Sequence, residues 1–297
     1  MPTEPSPSSF ASNIGLGCVT FGREIDRTAA FAMMEHATDH GIMLFDTAAA
    51  YGGGASETIV GEWLAYSGNR RRVTLATKIL PPFSPASVDA AVNTSLQRLN
   101  VATIDQLFLH RWDPTAAEEA TLRALDGWVS SGRVRTVGAS NFSASQLAAT
   151  LALQTNFGVA RFQVLQNIHN FAVRGIDETT RSLCTRHQID IVTYSPLGAG
   201  FLTGKHEGGV QPGSRFDLIP GHQNVYFNDL ARQRLARLKN VSARSGVPMP
   251  TLALAWAFRP THTGTVLVGG RTPAQLDQAL RAREFADVAL LRELDAG

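Results

Sequence analysis

Residues 42–68 read IMLFDTAAAYGGGASETIVGEWLAYSG and contain one complete structural unit. The opening IMLFDTA is short, apolar and ends on a polar pair, which reads as a buried strand. The closing SETIVGEWLAYSG carries helical spacing and stops at Gly68, a residue suited to the left-handed backbone that ends a helix. Between them lies a glycine-rich loop with one aromatic residue, Tyr51.

The same alternation recurs on both sides. ASNIGLGCVTFG precedes this unit, and RVTLATK, IDQLFLH, VRTVGAS, ARFQVLQN, IDIVTYSP and GTVLVGG follow it, making eight candidate strands. Helical patterns fill the gaps. RTAAFAMMEHATDHG puts Ala29, Met33, Met34 and Ala37 on one face and ends at Gly41. SVDAAVNTSLQRLN, AEEATLRALDGWVSSG, SASQLAATLALQTNFG, IDETTRSLCTRHQ, NDLARQRLARLKNVSARSG, TLALAWAFR and TPAQLDQALRAREF are further helices. Ser56 and Asp89, each ahead of an apolar-periodic run, read as helix caps.

Polar residues at the strand ends fall at 46, 78, 110, 140, 166 and 195, in steps of 32, 32, 30, 26 and 29 residues. That is the length of a strand plus its crossover helix. Eight such units predict an α/β chain folded as a closed parallel (β/α)8 TIM barrel. An open doubly wound sheet would want GxGxxG after the first strand, and LGCVTFG is not that motif. From Ser195 to Gly269 the interval is 74 residues, about 45 more than one unit. The excess, GAGFLTGKHEGGVQPGSRFDLIPGHQNVYFN, is glycine-rich and reads as a long loop, a flap over the barrel mouth.

Composition bounds the function. The chain has 297 residues, 44% hydrophobic and 18% charged, an ordinary globular balance that excludes fibrous or wholly disordered classes. Lys plus Arg number 27 against 25 Asp plus Glu, so the net charge of +2 gives nucleic-acid binding no support. Arg70-Arg71-Arg72 reads as a solvated turn. The first nine residues, MPTEPSPSS, read as a flexible tail without a signal-peptide pattern, leaving 10–297 as a single barrel domain. No run of 18 apolar residues suggests a membrane span. Cys18 and Cys184 are expected to be reduced thiols, and a cytoplasmic location is expected.

Enzymes of barrel form draw their chemistry from the C-terminal ends of several strands. Here those ends offer Asp46, with Tyr51 five residues on, then Lys78, His110, Ser140-Asn141, Gln166-Asn167 and Tyr194-Ser195. Singly, each has an ordinary structural reading as a cap, a turn former or a packed side chain. Together they suit one reaction. A tyrosine hydroxyl beside an ammonium is expected to be a better proton donor, because the ammonium favours the phenolate. An aspartate holds that ammonium in place, and a neutral histidine orients a carbonyl oxygen. The set suits protonation of an alkoxide as it forms from C=O. No side chain supplies hydride, so a nicotinamide cofactor is implied.

The pieces LGCVTFG, FDTAAAYGGGASETIVGEWL, LATK, FLHRWD, VRTVGASNF, QNIHN, YSPLGAGFLTGK and VLVGGRTPAQL together resemble the aldo-keto reductase family over essentially the whole chain after the tail. HRWD and the TGK-containing loop are more similar to its bacterial, aryl-alcohol dehydrogenase and potassium-channel-β-like branches. The resemblance implies a TIM barrel that reduces aldehydes and ketones with NADPH or NADH, without a metal. It implies a tetrad of Asp46, Tyr51, Lys78 and His110, with Tyr51 as general acid in reduction and transfer of the 4-pro-R hydrogen. It also implies cofactor contacts. Ser140, Asn141 and Gln166 would bind the carboxamide, and Tyr194 would stack on the nicotinamide. Ser195, Leu197, Gly198, Gly200 and Lys205 would run beside the pyrophosphate. Gly269, Gly270, Arg271 and Gln275 would grip the adenosine ribose and its 2′-phosphate. The family's Glu-Asn adenine pair is replaced by Gln278 and Ala279, which leaves the preference between NADPH and NADH open. His169 stands where many relatives carry tyrosine.

Phe21, Phe83, Trp112, Phe201, Phe216, Tyr226 and Phe227 are expected, by position, to make an apolar substrate mouth. A small uncharged carbonyl compound is the expected partner, with no nucleic acid or membrane and a monomeric or weakly oligomeric chain. A cofactor-binding regulatory barrel with little turnover is the alternative. A metal-dependent lyase or hydrolase would need His, Asp and Glu clusters at the strand ends that this chain does not display.

Overall fold

Short apolar runs alternate with amphipathic ones, and the chain answers by closing its strands into a ring inside a ring of helices. The computed structural model describes residues 13–259 and 264–295, so the tail expected at 1–9 lies outside the described residues. The strands are β1 (Ile14–Gly17), β2 (Leu44–Asp46), β3 (Thr74–Ile79), β4 (Ile104–Leu109), β5 (Val134–Ser140), β6 (Phe162–Ile168), β7 (Asp190–Tyr194) and β8 (Thr265–Val268). They form a closed barrel in chain order, every neighbour parallel. Ile14 opposite Val266 and Leu16 opposite Val268 close the ring.

The helices are α1 (Arg27–Asp39), α2 (Ala55–Ser67), α3 (Pro85–Leu99), α4 (Glu119–Ser130), α5 (Ala144–Phe157), α6 (Glu178–His187), α7 (Arg215–Leu218), α8 (Gln223–Tyr226), α9 (Asp229–Ser245), α10 (Met249–Ala257), α11 (Pro273–Arg283) and α12 (Val288–Asp295). The starts of α1, α3, α5, α6 and α9 are capped by Asp26, Ser84, Ser143, Asp177 and Asn228, each accepting from a first-turn amide. The caps expected at Ser56 and Asp89 are not caps. Ser56 is buried inside α2 and donates to the Cys18 carbonyl at 2.8 Å. Asp89 lies within α3 and accepts from Trp128 Nε1 at 2.7 Å. Gly41 and Gly68 end their helices as read, at φ +74 and +69.

Side chains alternate along a strand, so every second residue enters the barrel. One interior layer is Leu44, Ala76, Phe108, Val164, Val192 and Leu267. Gly15 and Gly138 complete it. A Cβ at Gly15 would lie 2.7 Å from Leu267 Cδ2, and one at Gly138 would lie 2.7 Å from Phe108 Cε1. A larger apolar cluster fills the space between strands and helices, with Leu16, Phe45, Leu75 and Leu107 meeting Met34, Trp63 and Leu96.

The segment after β7 folds rather than trailing. A 3₁₀ turn at Gly198–Thr203 leads to the short α7 and α8. Phe201, Phe216 and Tyr226 pack with Leu235, Leu238 and Trp256 in a second apolar cluster. Most of the expected mouth aromatics are therefore core: Phe21, Phe83, Phe201, Phe216 and Tyr226 are buried. Of the seven, Trp112 and Phe227 keep partial exposure, and Trp112 meets Phe142 edge to face.

Candidate active site

Two residues beyond each inward member of the apolar layer stand Asp46, Lys78, His110, Ser140, Gln166 and Tyr194, with Gly17 and Gly269 completing the circle. The period of two that buries Leu44, Ala76 and Phe108 therefore points the next polar residues toward the same axis, one step nearer the C-terminal rim. The sequence spacing of about 30 residues becomes spatial convergence through this register.

At the centre, Lys78 Nζ donates to Asp46 Oδ2 at 2.5 Å, to the Thr47 carbonyl at 2.9 Å and to Tyr51 Oη at 3.3 Å. Its three protons thus have three acceptors. Tyr51 reaches this point from the β2–α2 loop, turned back by Gly52, Gly53 and Gly54 at φ +58, +64 and +100. Positive φ at successive residues favours glycine, and a Cβ at Gly54 would also strike Arg98 at 2.3 Å. The Tyr51 and His110 rings meet edge to face, their centroids 5.8 Å apart. The four expected tetrad residues are therefore brought together.

Burial governs the electrostatics. Desolvation pushes the Tyr51 hydroxyl above its ordinary range, and the Lys78 charge offsets this only in part, with Asp46 adding to the rise. The ammonium does bring the phenol down, as expected, but burial outweighs it, so the net shift is upward and Tyr51 is held protonated, loaded as a donor. Burial pulls the Lys78 ammonium down, but Asp46, followed by Tyr51, more than restores it, leaving it firmly charged. Burial, followed by the charges of Lys78 and Arg111, lowers His110 to about 3, so its imidazole is neutral at physiological pH.

Further hydrogen bonds hold this group from outside. Gln166 Nε2 donates to Asp46 Oδ1 at 2.8 Å, so Gln166 anchors the carboxylate. Tyr194 Oη donates to Asn141 Oδ1 at 2.7 Å, and Asn141 Nδ2 donates to the His110 carbonyl at 2.9 Å and to Ser140 Oγ at 3.1 Å. Asn141, Ser195 and Ala199 hold positive φ of 58, 59 and 56, strained for L-residues and gathered at the rim.

The remaining expected cofactor residues are placed as follows. Ser195 and Leu197 open the turn after β7, where Gly198 and Gly200 have φ +59 and +94. A Cβ at Gly198 would meet the Tyr226 ring at 2.8 Å, and one at Gly200 would meet Lys205 Cε at 2.9 Å. Lys205 itself is exposed. Across the mouth, Thr20 Oγ1 donates to the Gly270 carbonyl at 2.9 Å. The Arg271 amide donates to Gln275 Oε1 at 2.7 Å, and its guanidinium donates to the Gly213 carbonyl at 2.9 Å. Arg215 pairs with the buried Glu24 carboxylate at 2.9 Å, a second clasp from the insert to the β1 loop. Ala279 is wholly buried in the core, and His169 packs on Trp256, so neither adds a polar group to the mouth.

A nicotinamide dinucleotide fits this donor set. Thr272 makes no side-chain cap at the head of the eleven-residue α11; Pro273 has no N–H and the Gln275 amide is bonded to the Thr272 carbonyl at 3.1 Å, so the Ala274 amide and the Arg271 guanidinium are the donors there for a phosphate. Buried polar atoms without a hydrogen-bond partner stand near the rim at His110 Nδ1 and His206 Nε2. Sequence reasoning missed His206 because its burial depends on Phe216, whose ring lies 4.9 Å away. It read Cys18 only as a reduced thiol and not its place beside Asp46, whose carbonyl accepts from the Cys18 amide at 2.8 Å and whose charge, after burial, raises the thiol.

A sequence model of the aldo/keto reductase family matches residues 13–290. An Arabidopsis thaliana protein named as a probable voltage-gated potassium channel beta subunit is 28% identical over 89% of this chain and 84% of its own length. An uncharacterized oxidoreductase of Bacillus subtilis, YrpG, is 28% identical over 96% and 91% of the two chains. A Saccharomyces cerevisiae protein named as a putative aryl-alcohol dehydrogenase is 28% identical over 91% and 88%.

Proposed function

The chain belongs to the aldo/keto reductase family, and from that premise we propose that it is an oxidoreductase exchanging hydride between NADPH, or NADH, and the carbonyl carbon of a small uncharged aldehyde or ketone. The observation that carries this reading is the single ammonium of Lys78 bonded to both Asp46 (2.5 Å) and Tyr51 (3.3 Å) above an apolar barrel layer.

The cofactor supplies hydride when bound. Ser140, Asn141, Gln166, Tyr194, Ser195, Leu197, Gly198, Gly200, Lys205, Gly269, Gly270, Arg271 and Gln275 are the residues that would hold it. The chain's own task is the proton. Tyr51 Oη, held protonated by burial, donates to the oxygen that gains charge as the carbonyl is reduced. Lys78 donates to Tyr51 Oη and stabilises the phenolate left behind. Asp46 fixes Lys78, and Gln166 fixes Asp46. The neutral His110 can donate a hydrogen bond to the carbonyl oxygen without surrendering a proton to it. Arg271, at the head of α11, would favour the 2′-phosphate of NADPH. Buried free Cys18 and Cys184 agree with a reducing, cytoplasmic setting, and 10–297 is taken as one domain.

The test is Tyr51→Phe. Carbonyl-driven NADPH oxidation should fall by about 10²–10⁴-fold, while NADPH affinity by fluorescence titration stays near wild type. Likeness to a protein named as a channel subunit favours a second reading, a cofactor-binding interaction barrel. Wild-type protein that binds NADPH but turns over none of 4-nitrobenzaldehyde, methylglyoxal and glyceraldehyde would support that reading instead.

A further inference from the structure

We infer that His36, His40 and Asp277 form a binding site for a divalent ion of the zinc class on the outer wall of the barrel, joining α1 to the helix that follows the last strand. His36 lies in the last turn of α1 and His40 caps its end, four residues on, so they share one face, and their ring centroids are 4.3 Å apart. Asp277 approaches from α11, its Oδ1 2.6 Å from His36 Nε2. One ligand atom from each of the three residues lies within 4.8 Å of the others. A coordination sphere with metal–ligand distances of about 2.0–2.2 Å closes over such a set with small side-chain rotations.

The tautomer of His40 is already suited to the task. Its Nδ1 contacts the His36 carbonyl at 2.8 Å. A carbonyl only accepts, so Nδ1 carries the proton and Nε2 keeps its lone pair. A backbone carbonyl holding the far nitrogen is the usual support for a metal-bound imidazole. At His36 the ion would take the Nε2 position that now faces Asp277 Oδ1 at 2.6 Å. Two neutral imidazoles and one carboxylate favour zinc, cobalt, nickel or copper over calcium or magnesium, which seek oxygen-rich sites. His40 is exposed and the other two side chains are partly so, leaving room for water in the remaining positions.

The site is separate from the barrel mouth, and no step of the proposed reaction passes through it. Its effect is structural. It ties residues 36 and 40 to residue 277 across the seam where β1 meets β8. The ion binds only where α1 and α11 are packed, so it stabilises the folded chain by linkage.

The experiment uses the tag-free full-length protein, titrated with Co²⁺ under visible absorption and then with Zn²⁺ in competition. Wild type should take up one Co²⁺ per chain, yield it to Zn²⁺ and melt at a higher temperature with the ion bound. His40→Gln and Asp277→Asn should each bind at least about tenfold more weakly, while His187→Gln, on a different helix, should bind as wild type does. Three results overturn the site: no Co²⁺ uptake up to about 1 mM, wild-type affinity in either site variant, or a comparable loss in His187→Gln.

Discussion

Replacing Asp46 by Asn removes the charge opposite Lys78 while keeping the shape of the side chain. Both side chains of the pair are almost fully buried, 3% and 1% exposed. An ammonium left there without its counter-charge costs about 3–5 kcal/mol. The alternative is for Lys78 to shed its proton, which at pH 7 costs about 5 kcal/mol from the ordinary lysine value of 10.5, so the loss is bounded near that figure. Lys78→Met strands the Asp46 carboxylate with only Gln166 and should cost a similar amount. The double variant behaves differently. The amide introduced by Asp46→Asn can still accept from Gln166 through its oxygen; the acceptors that lose Lys78 are the Thr47 carbonyl at 2.9 Å and Tyr51 Oη at 3.3 Å, and of these only the carbonyl has no proton of its own to place elsewhere. An orphaned buried carbonyl costs about 1–3 kcal/mol. Urea unfolding followed by circular dichroism and tryptophan fluorescence should therefore find the double variant more stable than either single one. Losses that add to within about 0.5 kcal/mol would refute the reasoning, because they would mean that the two groups do not depend on each other.

His110 makes a prediction about pH. Its folded value of about 3 lies below the ordinary 6.5, so as pH falls the unfolded chain takes up the proton first. The stability contribution from neutral His110 is complete above about 6.5 and is lost between 6.5 and 3. The profile of kcat/KM should show no imidazole limb between about pH 5 and 8, and a limb near neutrality that disappears in His110→Asn would contradict this. Two glycine substitutions should have opposite signs. Gly61→Ala in α2 sets a Cβ 2.5 Å from the Leu99 carbonyl and 2.6 Å from that of Arg98, so it should lose about 1–3 kcal/mol in urea unfolding despite better helix propensity. Gly127→Ala in α4 meets nothing within 4 Å and should gain up to about 1 kcal/mol.

The barrel was legible because each strand carries its own signal, a short apolar run closed by a polar residue, and the repeat length admits few topologies. The convergence of three of the expected site residues was legible for the same reason: Asp46, Lys78 and His110 each sit two residues beyond a core residue of their strand. What stayed hidden depends on partners distant in sequence. Ser56 and Asp89 have the composition of caps, but their hydrogen bonds go to residues 38 and 39 positions away. Gln166 reads as a ligand residue, while its amide meets Asp46 at a separation of 120 residues. Aromatic residues in loops suggest a pocket, yet Phe201, Phe216 and Tyr226 find one another and Trp256 instead. The sign of the Tyr51 shift needed a measure of burial, which spacing does not carry. The His36–His40 spacing was visible all along, but Asp277, 241 residues beyond His36, was not.

The insert after β7 has its own apolar nucleus on α9 and α10, and it reaches the loops around β1 and β8 through Arg215–Glu24 and Arg271–Gly213. Its outer surface is thereby freed from the duty of holding the strands together. Changes at exposed positions such as Leu218 and Val225 can accumulate at little cost to the scaffold. A lineage built on this arrangement can vary the rim of the barrel while Asp46, Tyr51, Lys78 and His110 beneath stay as they are.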